Sequence, residues 1–446
     1  MARKRIRDRE PVEVEIEDLS HDGRGIARVE KKVLFVNGAL PGERVIARYI
    51  GTTRQFDEAR AETVLRASPD RVEPRCEFYG VCNGCSMMHL APDKQLVFKE
   101  NTLRHNLEKI GHVQPQQWLP PLSDAQWHYR RRARLSVRYV KGKERVLVGF
   151  REKNGRYVAD MTACYVLKPP LNTLIEPLSE LIGSLRIRQH IAQVEASVGE
   201  ADTALIFRHL KPVNEADRQK LLAFAEQHSV RIFLQPKGPA TVHEITTGQQ
   251  PLFFTFPEDN IRLEFEPGDF IQVNEGMNRK MLQRVKDLLD IQPDDHILDL
   301  FCGLGNFTVP LARHVAAVTG VEGDAGLIRR ARKNAEINAL DNVDFHVADL
   351  RQDHSGADWM QRTYDKVLID PPRSGAWEAL PLIAQTGAET VVYVSCHPAS
   401  LARDAGRLVN ELGYTLVSAG VMDMFPHTSH VESIALFRKN RSHKRP

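Results

Sequence analysis

The chain has 446 residues, 42% of them hydrophobic, and a formal net charge of +3. This length suggests about three domains, and the apolar content excludes a chain that is disordered throughout. No apolar run reaches the roughly 18 residues that cross a bilayer, and the charged N-terminus lacks the apolar stretch of a signal peptide. We therefore expect a cytoplasmic protein with no membrane partner.

Positive charge is concentrated between His128 and Lys153, where ten Lys and Arg side chains are opposed by only two glutamates. Both chain ends are also basic, at residues 3–5 and 441–445. Such a stripe suits the phosphate backbone of a nucleic acid. The alternative is a solvated strand face with charged tails, so charge alone leaves the partner open.

Residues 10–65 predict a small β-barrel, because short alternating strands are separated there by glycine turns. The predicted strands are Val12–Ile16, Val33–Val36 and Arg44–Tyr49. A helical stretch is expected near residues 93–110. Residues 128–265 predict mostly strands, with one helix near residues 214–228.

From residue 294 onward the pattern changes to alternating strands and helices. The predicted strands are His296–Leu300, Ala317–Val321, Val343–Val347, Lys366–Ile369, Thr390–Ser395, Leu416–Val421 and Ser433–Phe437, with helices at Ala325–Asn338 and Ser400–Leu412. Five βα steps and a final hairpin predict an α/β fold, a doubly wound sheet with an antiparallel last strand. We expect a barrel at residues 1–67, a mostly β central domain at 68–267 and an α/β domain at 268–446, on which a helical segment near residues 93–125 packs.

The first strand of the α/β region ends in a Gly-x-Gly turn at Gly303 and Gly305, which lets a ligand approach the backbone. Dinucleotide-binding turns carry a further glycine where this chain has Thr308. Glu322 ends the second strand and Asp349 follows the third, placed to accept hydrogen bonds from ribose hydroxyls and an adenine amino group. These features favour S-adenosylmethionine over NAD, and the alternative is an ordinary tight turn.

The fourth strand ends at Asp370 and the fifth ends beside Cys396. A cysteine beside a helix N-terminus is expected to have a lowered thiol pKa, as a nucleophile requires, and the alternative is a buried structural cysteine. Addition of a thiolate to C6 of uracil would make C5 nucleophilic enough to accept a methyl group, after which a base must remove the C5 proton. Glu432, at the start of the last strand, is the candidate base, and Asp370 is a candidate for binding the pyrimidine edge or the cofactor.

Three cysteines, Cys76, Cys82 and Cys85, lie within ten residues, and Cys164 offers a fourth thiol from a remote strand. Six cysteines with this uneven distribution do not suggest a disulfide framework. Zinc sites more often come as two close pairs, whereas three plus one is common for iron–sulfur clusters. The spacing therefore predicts a metal site and favours a cluster without excluding zinc.

The segments DLFCGLGNF, GVEGD, DPPR, VSCHP and FPHTSHVE resemble the RNA uracil-C5 methyltransferases, most strongly over residues 268–446. The resemblance implies a class I S-adenosylmethionine-dependent methyltransferase fold, with Cys396 as nucleophile, Glu432 as base and Phe270 packed on the flipped base. The cofactor-site residues that it implies are Gln272, Phe301, Asn306, Glu322, Asp349 and Asp370. The chain departs from the family at His397, where asparagine is usual, and at Ser400, where threonine is common.

Residues 10–65 resemble a TRAM domain, an oligonucleotide-binding barrel, and the barrel combined with the cysteines resembles family members that act on bacterial 23S rRNA. This implies formation of 5-methyluridine in 23S rRNA and a [4Fe–4S] cluster on the four cysteines named above, with a structural or RNA-contacting role. We expect a monomer. The alternatives are a tRNA uracil-C5 methyltransferase, a non-catalytic RNA-binding protein, and an RNA cytosine-C5 methylase, which would carry a cysteine where this chain has Arg373.

Overall fold

The computed structural model describes residues 9–153, 155–248 and 250–440. The two basic chain ends, at residues 3–5 and 441–445, lie outside these ranges. The chain divides into two compact units. The first comprises Met1–Thr102, Phe150–Ala159 and Phe425–His430, and the second comprises Leu103–Gly149, Asp160–Met424 and Val431–Pro446. Every helix in the described ranges is too short or too polar to cross a membrane.

The first unit contains six strands: β1 (Val12–Glu15), β2 (Asp18–Leu19), β3 (Gly25–Val29), β4 (Lys32–Asn37), β5 (Arg44–Thr52) and β6 (Phe56–Arg66). They form one sheet in the spatial order β1-β5-β6-β4-β3-β2. Alternate apolar side chains such as Leu34, Val36 and Val45 are buried in its core. The three strands predicted here are confirmed. Strands β2, β3 and β6 were not predicted. In β6, charged residues alternate with alanines and the hydrophobic pattern is weak.

A buried carboxylate ties this sheet to the segment that follows it. Glu43 is fully buried, and its carboxylate accepts hydrogen bonds from Leu40 N at 2.8 Å and Ser68 N at 3.2 Å. Arg71 donates through Nε at 2.5 Å and through Nη2 at 2.7 Å. Burial alone raises the pKa of Glu43, but the hydrogen bonds from Arg71, Leu40 and Ser68 together leave that pKa below its usual value. The end of the sheet therefore depends on one ionised, buried group.

Helix α1 (Pro92–Asn106) begins in the first unit and ends in the second. A π-helical turn (Leu107–Gly111) and the short strand β7 (Gln117–Trp118) follow it. The prediction of a helical stretch near residues 93–110 is confirmed.

The central part of the second unit is a six-stranded sheet with two helices. Its elements are β8 (Arg132–Val140), β9 (Arg145–Gly149), α2 (Ile175–Ser184), β10 (Ile191–Val198), β11 (Thr203–His209), α3 (Glu215–His228), β12 (Arg231–Gln235) and β13 (His243–Glu244), in the spatial strand order β13-β12-β11-β10-β8-β9. Strands β11 and β12 are parallel and α3 connects them, which makes a βαβ unit. The prediction of a single helix here is wrong, because α2 also forms. Its Pro177 lies in the first turn, where no backbone N–H is required.

The rest of the second unit carries a hairpin and an eight-stranded sheet. Its elements are β14 (Leu252–Phe256), β15 (Ile261–Phe265), α4 (Glu275–Leu289), β16 (His296–Leu300), α5 (Thr308–Ala312), β17 (Ala317–Glu322), α6 (Ala325–Ile337), β18 (Val343–Val347), β19 (Lys366–Ile369), α7 (Leu380–Thr386), β20 (Thr390–Ser395), α8 (Pro398–Asn410), β21 (Tyr414–Met422) and β22 (Glu432–Lys439). The spatial order is β18-β17-β16-β19-β20-β22-β21-β7. The first five strands of that order are parallel and β22 is antiparallel to β20. The predicted doubly wound sheet with an antiparallel last strand is confirmed.

Residues far upstream complete this sheet. Strand β7 pairs in parallel with β21, with Gln117 opposite Ser418. Leu103 and Leu107, at the end of α1 and in the turn after it, are buried in the same core as Leu401 of α8. Gly111 lies so close to the Ala402 carbonyl that a Cβ there would collide with it, which explains a glycine at this position. The α/β layer therefore includes residues that precede the central sheet.

We expect Glu43→Ala to lower the stability of the first unit by about 2–4 kcal/mol, because it leaves Arg71 and two buried amides without their acceptor. Native-state hydrogen exchange of the β5 and β6 amides measures this loss directly. The control is Glu62→Ala, which removes an exposed ion pair with Arg48 and should cost no more than about 1 kcal/mol. Equal losses of protection in the two variants would contradict the role assigned to Glu43.

Candidate active site

The turn after β16 contains Phe301 and Asn306, two of the predicted cofactor residues, and lies beside a third, Glu322. Phe301 adopts a φ of 65°, a left-handed conformation that costs energy for a residue with a side chain. Gly303 follows with a φ of 57°, and a Cβ built there would meet no atom within 4 Å. Glu322 Oε2 accepts a hydrogen bond from Gly303 N at 3.2 Å. An open backbone beside a carboxylate suits a ligand that carries ribose hydroxyls.

Asn306, in the same turn, is held from α4. Asn278 and Asn306 exchange two amide hydrogen bonds, of 2.8 and 3.0 Å. The sequence analysis missed Asn278, although its position on the apolar face of α4, between Met277 and Met281, marked it as a buried polar residue. The pair fixes the orientation of the Asn306 amide.

Gln272 lies beside Asp370, since its Nε2 donates to Asp370 Oδ2 at 3.4 Å. The backbone at Gln272 is held by Arg131, whose Nε donates to Gln272 O at 2.8 Å. Arg131 is fully buried, with its guanidinium 4.2 Å from the centroid of the Phe254 ring. This arginine belongs to the predicted basic stripe, so the stripe is not a uniform surface for phosphates. Phe270, two residues before Gln272, is 63% exposed.

Two acids at this edge of the sheet have pKa values raised towards neutrality. Burial raises the pKa of Asp370 to about 7. Burial also raises the pKa of Asp299, at the end of β16, to about 7, although Thr308 Oγ1 donates to its Oδ2 at 2.6 Å. Both carboxyls therefore change charge near neutral pH.

Asp349 lies at the same edge but is turned towards solvent. Arg351 donates to both of its carboxylate oxygens, at 2.9 and 3.0 Å. The hydrogen bond from Arg351 holds the pKa of Asp349 at about 2, so this acid is ionised. The six predicted cofactor residues therefore lie along one edge of the sheet, with Asp349 engaged by a neighbour.

Cys396 follows the last residue of β20, and Glu432 begins the adjacent antiparallel strand β22. Ser395 pairs with Ser433, which sets Cys396 and Glu432 opposite one another. Glu432 is 8% exposed and Cys396 is half-buried. The next residue, His397, caps α8, because its Nδ1 accepts a hydrogen bond from Ser400 N at 3.3 Å. His397 thus fills a capping role that an asparagine also performs.

The expected lowering of the thiol pKa of Cys396 is wrong for the unliganded protein. Burial, followed by the negative charges of Glu432 and Asp370, raises the pKa of Cys396 to about 11. Arg373 acts in the opposite direction but does not compensate. The resting thiol is protonated because the neighbouring carboxylates and desolvation outweigh the helix N-terminus.

Asp404 of α8 fixes the loop that follows Asp370. It is fully buried, and its Oδ2 accepts hydrogen bonds from Ala376 N and Tyr393 Oη, both at 2.7 Å. Ser400 Oγ donates to Arg373 O at 2.9 Å from the same helix. The sequence analysis missed Asp404, whose signal is an acid on the helix face shared with Leu401 and Leu408. Helix α8 therefore holds the Arg373 loop and the Cys396 strand end in one arrangement.

The predicted cysteine ligands fall in both units. Cys76, Cys82 and Cys85 lie in one loop of the first unit, and Cys164 lies in the second. Gly84 N donates to Cys82 Sγ at 3.3 Å, and Lys153 interacts electrostatically with Cys82 and Cys85. Burial raises the pKa of Cys76 and of Cys82. The donors suit a soft metal, but no three Cys, His, Asp or Glu side chains among the described residues are arranged as ligands.

Comparisons with known proteins agree with this architecture. The family tRNA (Uracil-5-)-methyltransferase matches residues 92–440, and the TRAM domain matches residues 7–61. The chain is 53% identical over 443 residues to the 23S rRNA (uracil(1939)-C(5))-methyltransferase RlmD of Xanthomonas oryzae pv. oryzae, covering 98% of this chain and 100% of the relative. The RlmD of Stenotrophomonas maltophilia is 53% identical with the same coverage.

A solved structure shares the fold over almost the whole chain. It is the Pyrococcus abyssi tRNA (uracil-54, C5)-methyltransferase in complex with S-adenosyl-L-homocysteine, with a TM-score of 0.74 and 25% identity over 95% of this chain and 99% of that one. The observed sheet order agrees with these full-length matches. The chain belongs to the tRNA (uracil-5-)-methyltransferase family and combines a class I S-adenosylmethionine-dependent methyltransferase fold with an N-terminal TRAM domain.

Proposed function

We propose that this protein transfers the methyl group of S-adenosylmethionine to C5 of a uridine in 23S rRNA, at the position equivalent to the uracil 1939 named for its relatives. The observation that carries the proposal is the position of Cys396 opposite the buried Glu432, where β20 ends and β22 begins. A non-catalytic RNA-binding role gives no reason for a thiol and a buried carboxylate to face each other at this edge.

In the proposed reaction, Cys396 acts in the first step and Glu432 acts after methyl transfer. The Cys396 thiol first loses its proton to solvent, and the thiolate Sγ then adds to C6 of the uracil while the C5–C6 π electrons move to form an enolate across C4 and C5. C5 of this enolate takes the activated methyl group that bound S-adenosylmethionine would supply, and the cofactor product is S-adenosylhomocysteine. Glu432 then accepts the C5 proton, the C5–C6 double bond re-forms and the Cys396 thiolate is expelled. The product is 5-methyluridine, and the protein regains its starting state when Glu432 releases its proton and the Cys396 thiolate takes one up.

Activation of Cys396 has to accompany substrate binding. With a pKa of about 11, roughly one thiol in ten thousand is ionised at pH 7. Glu432 and Asp370 both raise this pKa, so neutralising either charge favours the thiolate. We therefore assign Asp370 a second task besides binding, which is to control the charge beside the nucleophile.

The cofactor edge has a donor set suited to an adenosine that bears a sulfonium. S-adenosylmethionine, when bound, supplies an activated methyl group. Glu322 would accept hydrogen bonds from its ribose hydroxyls, and Asp349 would accept them from its adenine amino group. The remaining residues of the cofactor site would be Gln272, Phe301, Asn306 and Asp370. The open backbone at Gly303 supports this assignment, because no side chain there competes for the space.

We also propose a [4Fe–4S] cluster on Cys76, Cys82, Cys85 and Cys164. The three-plus-one distribution of soft thiol donors supports it. At Cys82, the Gly84 amide and the Lys153 cation partly offset the burial that raises the thiol pKa. Methyl transfer consumes no electron, so the proposed role is structural or RNA-contacting.

The two catalytic variants should fail at different steps. Cys396→Ala should abolish both methylation and any covalent protein–RNA adduct. The Glu432→Gln variant should still form the covalent adduct and methylate the uracil, but it should release its product about 100- to 10,000-fold more slowly. A denaturation-resistant protein–RNA complex that bears the new methyl group should therefore accumulate. Gel analysis with labelled S-adenosylmethionine and transcribed 23S rRNA fragments measures both effects. A tRNA transcript serves as the competing substrate, and methylation of uracil by Cys396→Ala would exclude the covalent pathway.

The resting thiol should alkylate slowly at neutral pH. Iodoacetamide labelling of Cys396, followed by mass spectrometry of its peptide, should rise with pH towards about 11 in the unliganded wild type. Glu432→Gln removes a neighbouring negative charge, which lowers the thiol pKa and should speed labelling at pH 8 by about tenfold or more. Glu411→Gln, an exposed acid at the end of α8, is the control and should change nothing. A labelling midpoint near pH 7 in the wild type would refute the raised pKa.

The cluster proposal predicts iron in anaerobically purified protein, at about four atoms per chain. Cys76→Ser should lose the iron and the brown colour, together with much of the soluble yield, because an emptied site leaves its loop untethered. Cys396→Ser is the matched control, since it also replaces a cysteine but should keep its iron. Stoichiometric zinc without iron, measured by elemental analysis, would reject the cluster.

A further inference from the structure

The connection between β21 and β22 passes through the first unit, although both strands belong to the second. It comprises residues 423–431, which makes it longer than the roughly 2–5 residues of most hairpin loops. We call its middle part, Phe425–His430, the hairpin tip, and this part lies in the first unit. The chain returns to the second unit at Val431, and Glu432 follows directly. The conformation of the hairpin tip therefore bears on the residue proposed as the base.

The backbone of His427, in the hairpin tip, is held on both sides. His427 adopts a φ of 66°, a left-handed conformation that costs energy for a residue with a side chain and persists only where the surroundings impose it. Its backbone N–H donates to Gln95 Oε1 at 2.9 Å. Its carbonyl oxygen accepts from Ser86 N at 3.0 Å and from Met87 N at 2.9 Å. Residues far upstream in the chain therefore impose this conformation.

Two further hydrogen bonds hold the ends of the hairpin tip. Lys99 is fully buried, and its Nζ donates to Phe425 O at 3.0 Å. At the other end, Ser429 N donates to Ser86 Oγ at 2.9 Å. A hydrogen bond from a charged donor is stronger than one between neutral groups, so the contact of Lys99 contributes most per bond. The hairpin tip is thus fixed at its first residue, in its middle and near its end.

The residues that hold the hairpin tip are themselves fixed within the first unit. Gln95 is 2% exposed, and its Nε2 donates to Leu90 O at 2.8 Å, which fixes the orientation of its amide. Ser86 directly follows Cys85, and its carbonyl oxygen accepts a hydrogen bond from Tyr79 Oη at 2.8 Å. These groups are therefore already oriented for the hydrogen bonds that they form with the hairpin tip.

The shape of the hairpin tip affects how firmly Glu432 is held. Glu432 pairs with Met422 in the last pair of the β21–β22 ladder. The end of a ladder opens more readily when a long, free connection lies beyond it, because closing that connection costs entropy. With the tip fixed in shape, only residues 423, 424 and 431 remain free to adjust between the tip and the ladder. A base must stay within about 3 Å of the proton that it accepts, so opening of this pair slows proton abstraction.

We propose that three anchor residues hold Glu432 in position for the step in which it accepts the C5 proton. They are Ser86, Gln95 and Lys99, and they act through the hairpin tip. The inference rests on the proposed role of Glu432, and it holds whether or not the cysteines bind a cluster. Addition of Cys396 to C6 and methyl transfer come before this step. Loss of an anchor residue therefore slows product release and leaves the earlier steps unchanged.

Lys99→Met removes the donor to Phe425 O and should lower kcat by roughly 5- to 50-fold, with little change in KM for RNA. A denaturation-resistant complex that bears the new methyl group should accumulate, as with Glu432→Gln. Gel analysis with labelled S-adenosylmethionine and a 23S rRNA fragment measures this complex. Lys94→Met is the matched control, because Lys94 is a partly exposed lysine of the same helix that pairs with Asp70. It should leave kcat, KM and the level of the complex unchanged.

Because Lys99 is buried, Ser86→Ala provides a second test from a half-buried position. It removes the acceptor for Ser429 N and should lower kcat by roughly 2- to 10-fold while the methylated complex accumulates. Ser86→Thr keeps a hydroxyl and should restore both values. Hydrogen exchange of the amides of residues 423–433 should be faster in Ser86→Ala than in the wild type, which reports the opening of the ladder end directly.

The outcomes separate this inference from the proposed function. Trapping of the complex by Glu432→Gln, with wild-type levels of it in Lys99→Met and Ser86→Ala, would overturn the inference and leave the proposed function intact. Activity that falls only in proportion to the loss of folded protein, without a trapped complex, would show a role in stability alone and would also overturn it. Product release by Glu432→Gln at the wild-type rate would overturn the proposed base and the inference together.

Discussion

Five neighbouring strands of the α/β sheet run in the same direction, and their ends place most groups of the candidate site. Glu322 closes β17, Asp370 follows β19 and Cys396 follows β20. Strand β22 runs the other way, so its first residue, Glu432, arrives at the edge where its neighbours stop. A slip of one residue would turn each side chain to the opposite face of the sheet. The strand register therefore decides which side chains can take part in the chemistry at this edge.

Burial at this edge raises the pKa values of the acids and of the nucleophilic thiol. Desolvation holds the pKa values of Asp299 and Asp370 near 7, and the charges of Asp370 and Glu432 act with burial to keep the Cys396 thiol protonated. A cation entering this edge lowers all of these pKa values, because it favours the ionised form of each group. A cation therefore favours the Cys396 thiolate directly but also favours ionised Asp370, whose charge raises the thiol pKa. Asp404 contributes differently, since it holds the Arg373 loop in place whatever the charge state of the site.

The parts of the fold that sequence could predict are those that depend on local pattern. The run Thr390–Ser395 is wholly buried and mostly β-branched, and its predicted bounds match the observed strand. Residues at strand ends, such as Glu322 and Cys396, followed from the same pattern. Helix α2 was not predicted, although its Pro177 lies in a first turn where proline is tolerated. Asp404 was missed because its partners come from other elements. The thiol pKa was predicted in the wrong direction, since sequence shows the helix beside Cys396 but not the carboxylates around it.

The pairing of β7 with β21 has a consequence for synthesis of the chain. Gln117 and its partner Ser418 are separated by roughly 300 residues, which a ribosome adds in about 15–60 s at about 5–20 residues per second. During that interval the edge of β7 and the buried leucines near the end of α1 have no finished sheet to join. The catalytic layer closes only when the C-terminal hairpin emerges. Nascent chains therefore expose these apolar side chains until the hairpin is complete.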